Sequence, residues 1–432
     1  MTEPTAAPRR RVGPAVRLDG FDGLRALSAL CVVLFHAHGR APIPSHALVS
    51  LLPGLRGVAH VFFILSAFLL YRPFVKAHLR GTPQPGLRRY FSSRFLRIMP
   101  VYWLCLVAAT MIGTTETRGL EGWFVQATLV QIYSSYHTNL GLVVSWTLSV
   151  DVAFYVLLPI YAFVVQRGLR FGSPLAREVV GGIAMMAIGI AYQNWAVGYH
   201  DRIVQYWPPY FFPVFGVGFI VAAVYEWNRA EPERAAPVVG WLGRLSLVWA
   251  ALFAVCVYIG SRVGAPAYVF VPYGNMPEQM AFLGMAAFSA IAVAFPGRRR
   301  GPVQWLTENR PIVWLGATAT YGMYLFHVSL LIVISDRILG WPVGHGNFLV
   351  VFPLGLAAAI GLGAVTYHLV ERPARLLNTA EGRAELRGDL ASLSARFRRA
   401  RPRPPASSAR EGPEEAVEGS GSEQTVGAPP GG

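Results

Sequence analysis

Charged residues are scarce in this sequence: Asp, Glu, Lys and Arg make up 14% of 432 residues against 53% for the apolar set, and mean hydropathy is +0.41. Soluble domains carry roughly a quarter charged residues, so an array of two or three soluble domains is excluded in favour of one apolar bundle. Acids are the rarer sign, 23 against 38 Lys plus Arg, for a net charge of +15. Nucleic-acid binding does not explain that excess, because the basic residues sit in short segments between apolar runs, as the positive-inside rule requires. Cysteine is nearly absent. Cys31, Cys105 and Cys256 all fall within apolar runs, without disulfide or metal-ligand spacing, so they read as core residues and no metal is expected. Internal repeats and a second globular segment are missing too. Arg9–Arg11 and Arg17 precede the first apolar run, and no convincing small-residue cleavage site follows it. That pattern reads as an uncleaved signal anchor with a cytoplasmic N-terminus.

What the chain does have is apolar stretches long enough to span ~30 Å of hydrocarbon. Ten are legible, near 22–41, 55–75, 98–114, 146–166, 178–196, 208–226, 241–260, 278–296, 312–335 and 347–369. The expected fold is all-α, a polytopic membrane bundle of about ten transmembrane helices with both termini cytoplasmic. The basic residues Lys76–Arg97, Arg167–Arg177, Arg229–Arg244 and Arg298–Arg310 then share one side. The segment Leu120–Val144 is apolar but interrupted by Gln126, Gln131, His137 and Asn139, and reads as a re-entrant or interfacial element rather than an eleventh span. The chain divides into a basic cytoplasmic segment over 1–18, a membrane domain over 19–376, a basic amphipathic helix or linker over 377–400, and a tail over 401–432. Leu386, Leu390, Leu393 and Phe397 recur at helical spacing among arginines, a pattern suited to an anionic surface. The tail is rich in Pro, Gly, Ser and Glu and is expected to be disordered.

Ionisable groups inside a span cost about 2.5–3.5 kcal/mol at the helix centre and normally need a partner or a wet cavity. Arg25 and His36 stand eleven residues apart in the first span, so on a helix they share a face at depths ~16 Å apart. Asp151, His327 and His60 fall near the depth of His36, each on a different span. His36 and Asp151 are the expected general-base pair, the carboxylate fixing the imidazole tautomer. Tyr155 and Tyr324 share helix faces with Asp151 and His327. His327, Tyr155, Tyr324 and His60 are therefore candidate site-lining residues, with a structural role the first reading of His60. A second cluster, in LRRYFSSRFLRIMPVYW, places Arg94 and Arg97 on one helix face near Tyr90 and Tyr102. Paired guanidiniums beside aromatic rings suit phosphates and a base, hence an acidic, nucleotide-containing donor.

These motifs, taken in order, resemble the acyltransferase 3 group of integral-membrane O-acyltransferases. FDGLRALSALCVVLFH is similar to its opening signature, an arginine and a histidine with ten residues between, here Arg25 and His36. FFILSAFLLYRPF, RFLRIMPVYW, SWTLSVDVAFYVLLP, TYGMYLFHVSLL and the closing ERP resemble its later motifs, so that the likeness covers roughly residues 19–376. Asp151 stands where glutamate is usual, Ala67 replaces a usual glycine, and His60 is unexpected. The resemblance implies acyl-coenzyme A, acetyl-CoA foremost, as a donor approached from the cytoplasm. The acceptor would be a hydroxyl on a sugar, glycan or polyketide-like metabolite. His36 would be catalytic, and Arg25, Arg94 and Arg97 would hold the donor. The competing reading is a transporter or flippase for a glycan, lipid or metabolite, because intramembrane charges also mark translocation paths.

Overall fold

The computed structural model describes residues 18–138, 140–264, 274–297 and 301–400. Among the described residues ten helices are long and apolar enough to cross a membrane, one for each apolar run read from the sequence. They are α1 (Asp19–Arg40), α2 (Val58–Arg80), α3 (Leu87–Met111), α4 (Trp146–Phe163) and α5 (Pro174–Gly198). Next come α6 (Phe212–Ala230), α7 (Ser246–Val263), α8 (Met276–Ala294), α9 (Thr320–Ile332, continued to Ile338 by a π-helical turn) and α10 (Phe348–Thr366). Their ends follow local chemistry. Asp19 and Asp22 occupy the first turn of α1 and His38 and Arg40 its last, each sign at the terminus the helix dipole favours. Ser173 caps α5 by accepting from Ala176 N, with Pro174 at the first helical position. Gly81 ends α2 at φ 61°, a left-handed geometry that glycine adopts without Cβ strain.

Small residues set how closely the helices approach. At Gly182 of α5 the backbone lies against Gly216 of α6, and Gly363 of α10 lies against Ala319 at the start of α9, the glycine-mediated contact common between membrane helices. Aromatic rings fill the interior, with Phe154 stacked on Phe215 at 3.8 Å and Tyr71 against Phe219 at 4.3 Å. Arg72 and Glu226 pair at 2.7 Å within this apolar mass, and Arg56 pairs with Glu278 at 3.3 Å. Burying either charge alone would be far more costly. Cys105 is buried and Cys31 and Cys256 half-buried, all as free thiols.

The segment Leu120–Val144 forms no long helix. It holds the short helix Gly119–Ala127 and the turns Gln131–Tyr133 and Val143–Ser145. Its interrupting polar groups satisfy its own irregular backbone: Gln126 Nε2 donates to the carbonyls of His137 at 2.9 Å and Leu140 at 3.0 Å. After α10, Ala380–Ala400 is helical, α11. The side chains of Leu390, Leu393 and Phe397 lie outside the described residues, as do Arg9–Arg11, Arg17, Asn139, Arg298–Arg300 and the tail from Arg401.

Candidate active site

Five helices converge on a cavity of about 120 Å³. Arg25 enters from α1, Ser66 from α2, Arg94 and Arg97 from α3, Asp151 and Tyr155 from α4, and Tyr324 from α9. Arg94 and Arg97 come together because residues three apart share a helix face. Arg25 Nη1 donates to Asp22 Oδ1 at 2.6 Å. Arg94 and Arg97 have no acidic partner among the described residues, and Arg94 Nε is buried without a hydrogen bond. The result is a small, mostly apolar cavity inside the bundle, facing three guanidiniums. Cations left unpaired in such surroundings call for an anion.

Asp151 lines the same cavity. Ser66 Oγ donates to its Oδ2 at 3.4 Å, while Oδ1 is buried without a partner. Tyr324 Oη contacts Thr147 Oγ1 at 2.7 Å and the Val144 carbonyl at 3.1 Å. Tyr321 Oη donates to the Ile98 carbonyl at 2.8 Å, tying α9 to the arginine helix. Tyr90 Oη donates to the Tyr155 carbonyl at 3.2 Å.

Neither His36 nor His327, expected to line the site, is among the residues lining this cavity, and His36 has a different partner from the one expected. Its Nδ1 is 3.2 Å from His327 Nε2 and 2.9 Å from the Val32 carbonyl, and the two rings meet edge-on at 4.9 Å. The expected His36–Asp151 hydrogen bond is not formed. The reason is rotation about the helix axes: α1 and α9 turn these imidazoles toward each other, whereas α4 turns Asp151 to Ser66. The contacts also settle the tautomers, since a carbonyl only accepts. His327 Nδ1, 2.7 Å from the Tyr324 carbonyl, carries a proton, which leaves its Nε2 as an acceptor. His36 Nδ1–H is then shared between Val32 O and His327 Nε2. Its Nε2 is left as a lone pair with no partner among the described residues. Tyr324 joins the two groups: it lines the Asp151 cavity, and its ring lies 5.9 Å from that of His327.

His60 is buried among the rings of Phe63, Phe211 and Phe282 and does not line the cavity. Tyr90 and Tyr102 are buried and bonded to backbone carbonyls, so neither offers a free ring face to a base. Ser66, Thr147 and Tyr321 belong to the cavity and escape the sequence reading. Ser66 left a signal, being the one polar residue in Val61–Leu70. Among the described residues, no group of three or more His, Cys, Asp or Glu side chains is placed to hold a metal ion.

The model of the acyltransferase domain family, Acyl_transf_3, matches residues 18–368. The chain belongs to this family. Nodulation protein 10 of Rhizobium leguminosarum bv. viciae is 25% identical to this acyltransferase over 84% of the chain and 94% of the relative. Peptidoglycan O-acetyltransferase OatA of Listeria monocytogenes is 20% identical over 83% of the chain, which spans 56% of that protein's length. No solved structure matches significantly. The acyltransferase is thus a multi-pass membrane protein, and its cavity lies within the matched region.

Proposed function

We propose that this acyltransferase moves an acyl group, acetyl foremost, from acyl-coenzyme A to a hydroxyl of a carbohydrate or secondary metabolite. The observation that carries the reading is the convergence of Arg25, Arg94 and Arg97 on one cavity, two of them without an acidic partner. Such a set suits the phosphates of a thioester donor. The OatA relative, a peptidoglycan O-acetyltransferase by name, supports an acetyl group and a glycan acceptor.

His36 Nε2 takes the proton from the acceptor hydroxyl. The resulting imidazolium keeps Nδ1–H on the Val32 carbonyl and His327 Nε2, so the positive charge forms where two acceptors already stand. The acceptor oxygen attacks the thioester carbonyl, the C–S bond breaks, and the thiolate leaves with the proton returned by His36. Asp151 acts on the substrate side of the cavity. Its unengaged Oδ1 accepts from an amide N–H of the donor's pantetheine arm. Tyr155 and Tyr324 shape the wall around it.

The test is thiol release from acetyl-CoA by the purified protein with a panel of hydroxylated acceptors, wild type beside His36→Ala. Release that rises with one acceptor and vanishes in the variant is the expected result. Full turnover in His36→Ala would reject the assignment.

A further inference from the structure

A second cavity, of about 480 Å³, lies where α2 ends and α3 begins. Pockets of this volume hold small organic ligands, and the reaction cavity is too small for a whole nucleotide thioester. The loop Gly81–Gly86 forms one wall, with Pro83 and Pro85 presenting flat faces, and Phe163 with Arg167 forms another. The Arg167 guanidinium lies 5.4 Å from the centre of the Phe163 ring, a surface both aromatic and cationic. Gln84 Nε2 donates to Gln166 Oε1 at 2.7 Å, which orients the Gln84 amide and leaves its carbonyl and second N–H for a ligand.

One buried group at this cavity is unsatisfied. His78 lines it, with Nδ1 2.6 Å from Glu178 Oε1 and Nε2 buried without a hydrogen-bond partner. An unmet buried nitrogen costs ~1–3 kcal/mol, so a ligand that meets it is favoured. Glu178 is fully buried and does not itself line the cavity; Tyr71 Oη and Gln166 Nε2 also donate to its carboxylate, at 2.5 and 3.1 Å. Arg167 is the exposed cation in the lining, and Arg88 and Arg89, both exposed, directly follow lining residue Leu87 in sequence.

The cavity also stands in register with the reaction site. Leu87 lines it at the start of α3, and Arg94 follows seven residues later, roughly 10 Å along the helix. Phe163 and Tyr155 repeat that relation on α4, about 12 Å apart. Phe74 lines the second cavity and packs on Tyr90 at 5.7 Å, and Tyr90 in turn bonds to Tyr155 of the first. The two cavities are therefore separated by one layer of side chains, Phe74, Tyr90 and Tyr155, and both lie along α3 and α4.

We propose that this cavity receives the adenosine end of the thioester donor, with the base between the prolines and Phe163, the 3′-phosphate at Arg167, and the diphosphate directed toward Arg94 and Arg97. The inference rests on the acyl-coenzyme A reading and gives the base the site that buried Tyr90 and Tyr102 cannot supply. Gln84 would read the base edge, in the amide-to-adenine geometry known from nucleic acids, and His78 Nε2 would supply one further hydrogen bond.

The experiment uses the full chain in detergent, with adenosine 3′,5′-bisphosphate as the binding probe and inorganic phosphate as its control. The KM values of acetyl-CoA and S-acetylpantetheine are measured alongside. Gln84 and Arg167 are exposed, so Gln84→Ala and Arg167→Ala do not threaten folding. The expected result is bisphosphate binding competitive with acetyl-CoA and at least tenfold tighter than phosphate, weakened about tenfold in each variant. The KM advantage of acetyl-CoA over S-acetylpantetheine should shrink by a similar factor. Bisphosphate no tighter than phosphate, or an unchanged KM ratio in both variants, would overturn the nucleotide site while leaving the donor reading intact. No binding or consumption of acetyl-CoA by the wild type would instead overturn the donor reading, and this inference with it.

Discussion

At the level of single residues, the chemistry turns on which nitrogen of His36 is free. His327, 291 positions away in sequence, and the Val32 carbonyl both engage Nδ1, so in the proposed reaction Nε2 would be the base. Replacing His36 with alanine removes a general base, a loss of ~10²–10⁴ in rate, and should leave the thermal unfolding midpoint nearly unchanged because the ring is only half-buried. His327→Ala acts one step removed. It deletes a hydrogen bond to a group that becomes charged, worth about 1.5–3 kcal/mol. kcat should fall roughly ten- to hundredfold with little change in the donor KM, whereas a rise in KM at constant kcat would make His327 a binding residue. Sequence alone located both histidines, since an imidazole inside an apolar run is conspicuous. It could not pair them. Depth follows from counting residues along a span, but rotation about the axis depends on packing, and an error there is enough to assign His36 to Asp151. Ser66 was overlooked for a related reason: a lone hydroxyl in a span can satisfy itself on its own helix, so its presence does not announce a site.

Among the elements, α1 matters most, because it carries both Arg25 and His36 and is pressed against the segment 302–318. A Cβ at Gly23 would fall inside the Thr307 carbonyl, and one at Gly316 inside the Asp22 carbonyl. Both clashes are with backbone and cannot be relieved by a side-chain rotation. Gly23→Ala and Gly316→Ala should each cost ~1–3 kcal/mol of stability, read as a lower unfolding midpoint in detergent, with activity falling as α1 is displaced. Gly39, on the same helix, has open space where a Cβ would go, so Gly39→Ala should change neither. The ten spans were legible because each is one contiguous apolar run, which a bilayer forces into a helix. The glycine contacts that fix their spacing are not, because a glycine in a span looks the same whether it meets a backbone or lipid. On α3, Arg94→Ala and Arg97→Ala should each raise the acetyl-CoA KM about tenfold or more and weaken its dependence on salt, because each removes a charge whose attraction for the donor's phosphates salt screens.

Across the whole molecule, the proposed reaction would divide between the two ends of α1, one toward each face of the bundle. Arg25 lies near the end at Asp19, and His36 some 16 Å farther, close to Arg40. Arg40 closes that far end through its pair with Asp336 at 3.0 Å, while Arg80, Arg88, Arg89 and Arg167 crowd the near one. A hydrophilic donor too large to cross the apolar bundle would thus bind at the arginine-rich face, with only its acyl end reaching toward the histidines. That separation predicts a sided reaction. Sealed vesicles holding the protein in one orientation are given radiolabelled acetyl-CoA on a single face, and acceptor on either. Label should transfer only when the donor is on the face bearing Arg88 and Arg89, which the positive-inside rule predicts to be cytoplasmic. Transfer to acceptor on the opposite face would mean that the bundle carries the acyl group across the membrane. Transfer confined to acceptor on the donor face would mean that His36 is reached from the same side, and the division of α1 into a donor end and an acceptor end would be wrong. Equal use of donor from both faces of intact vesicles would remove the arginine face as the entry point altogether.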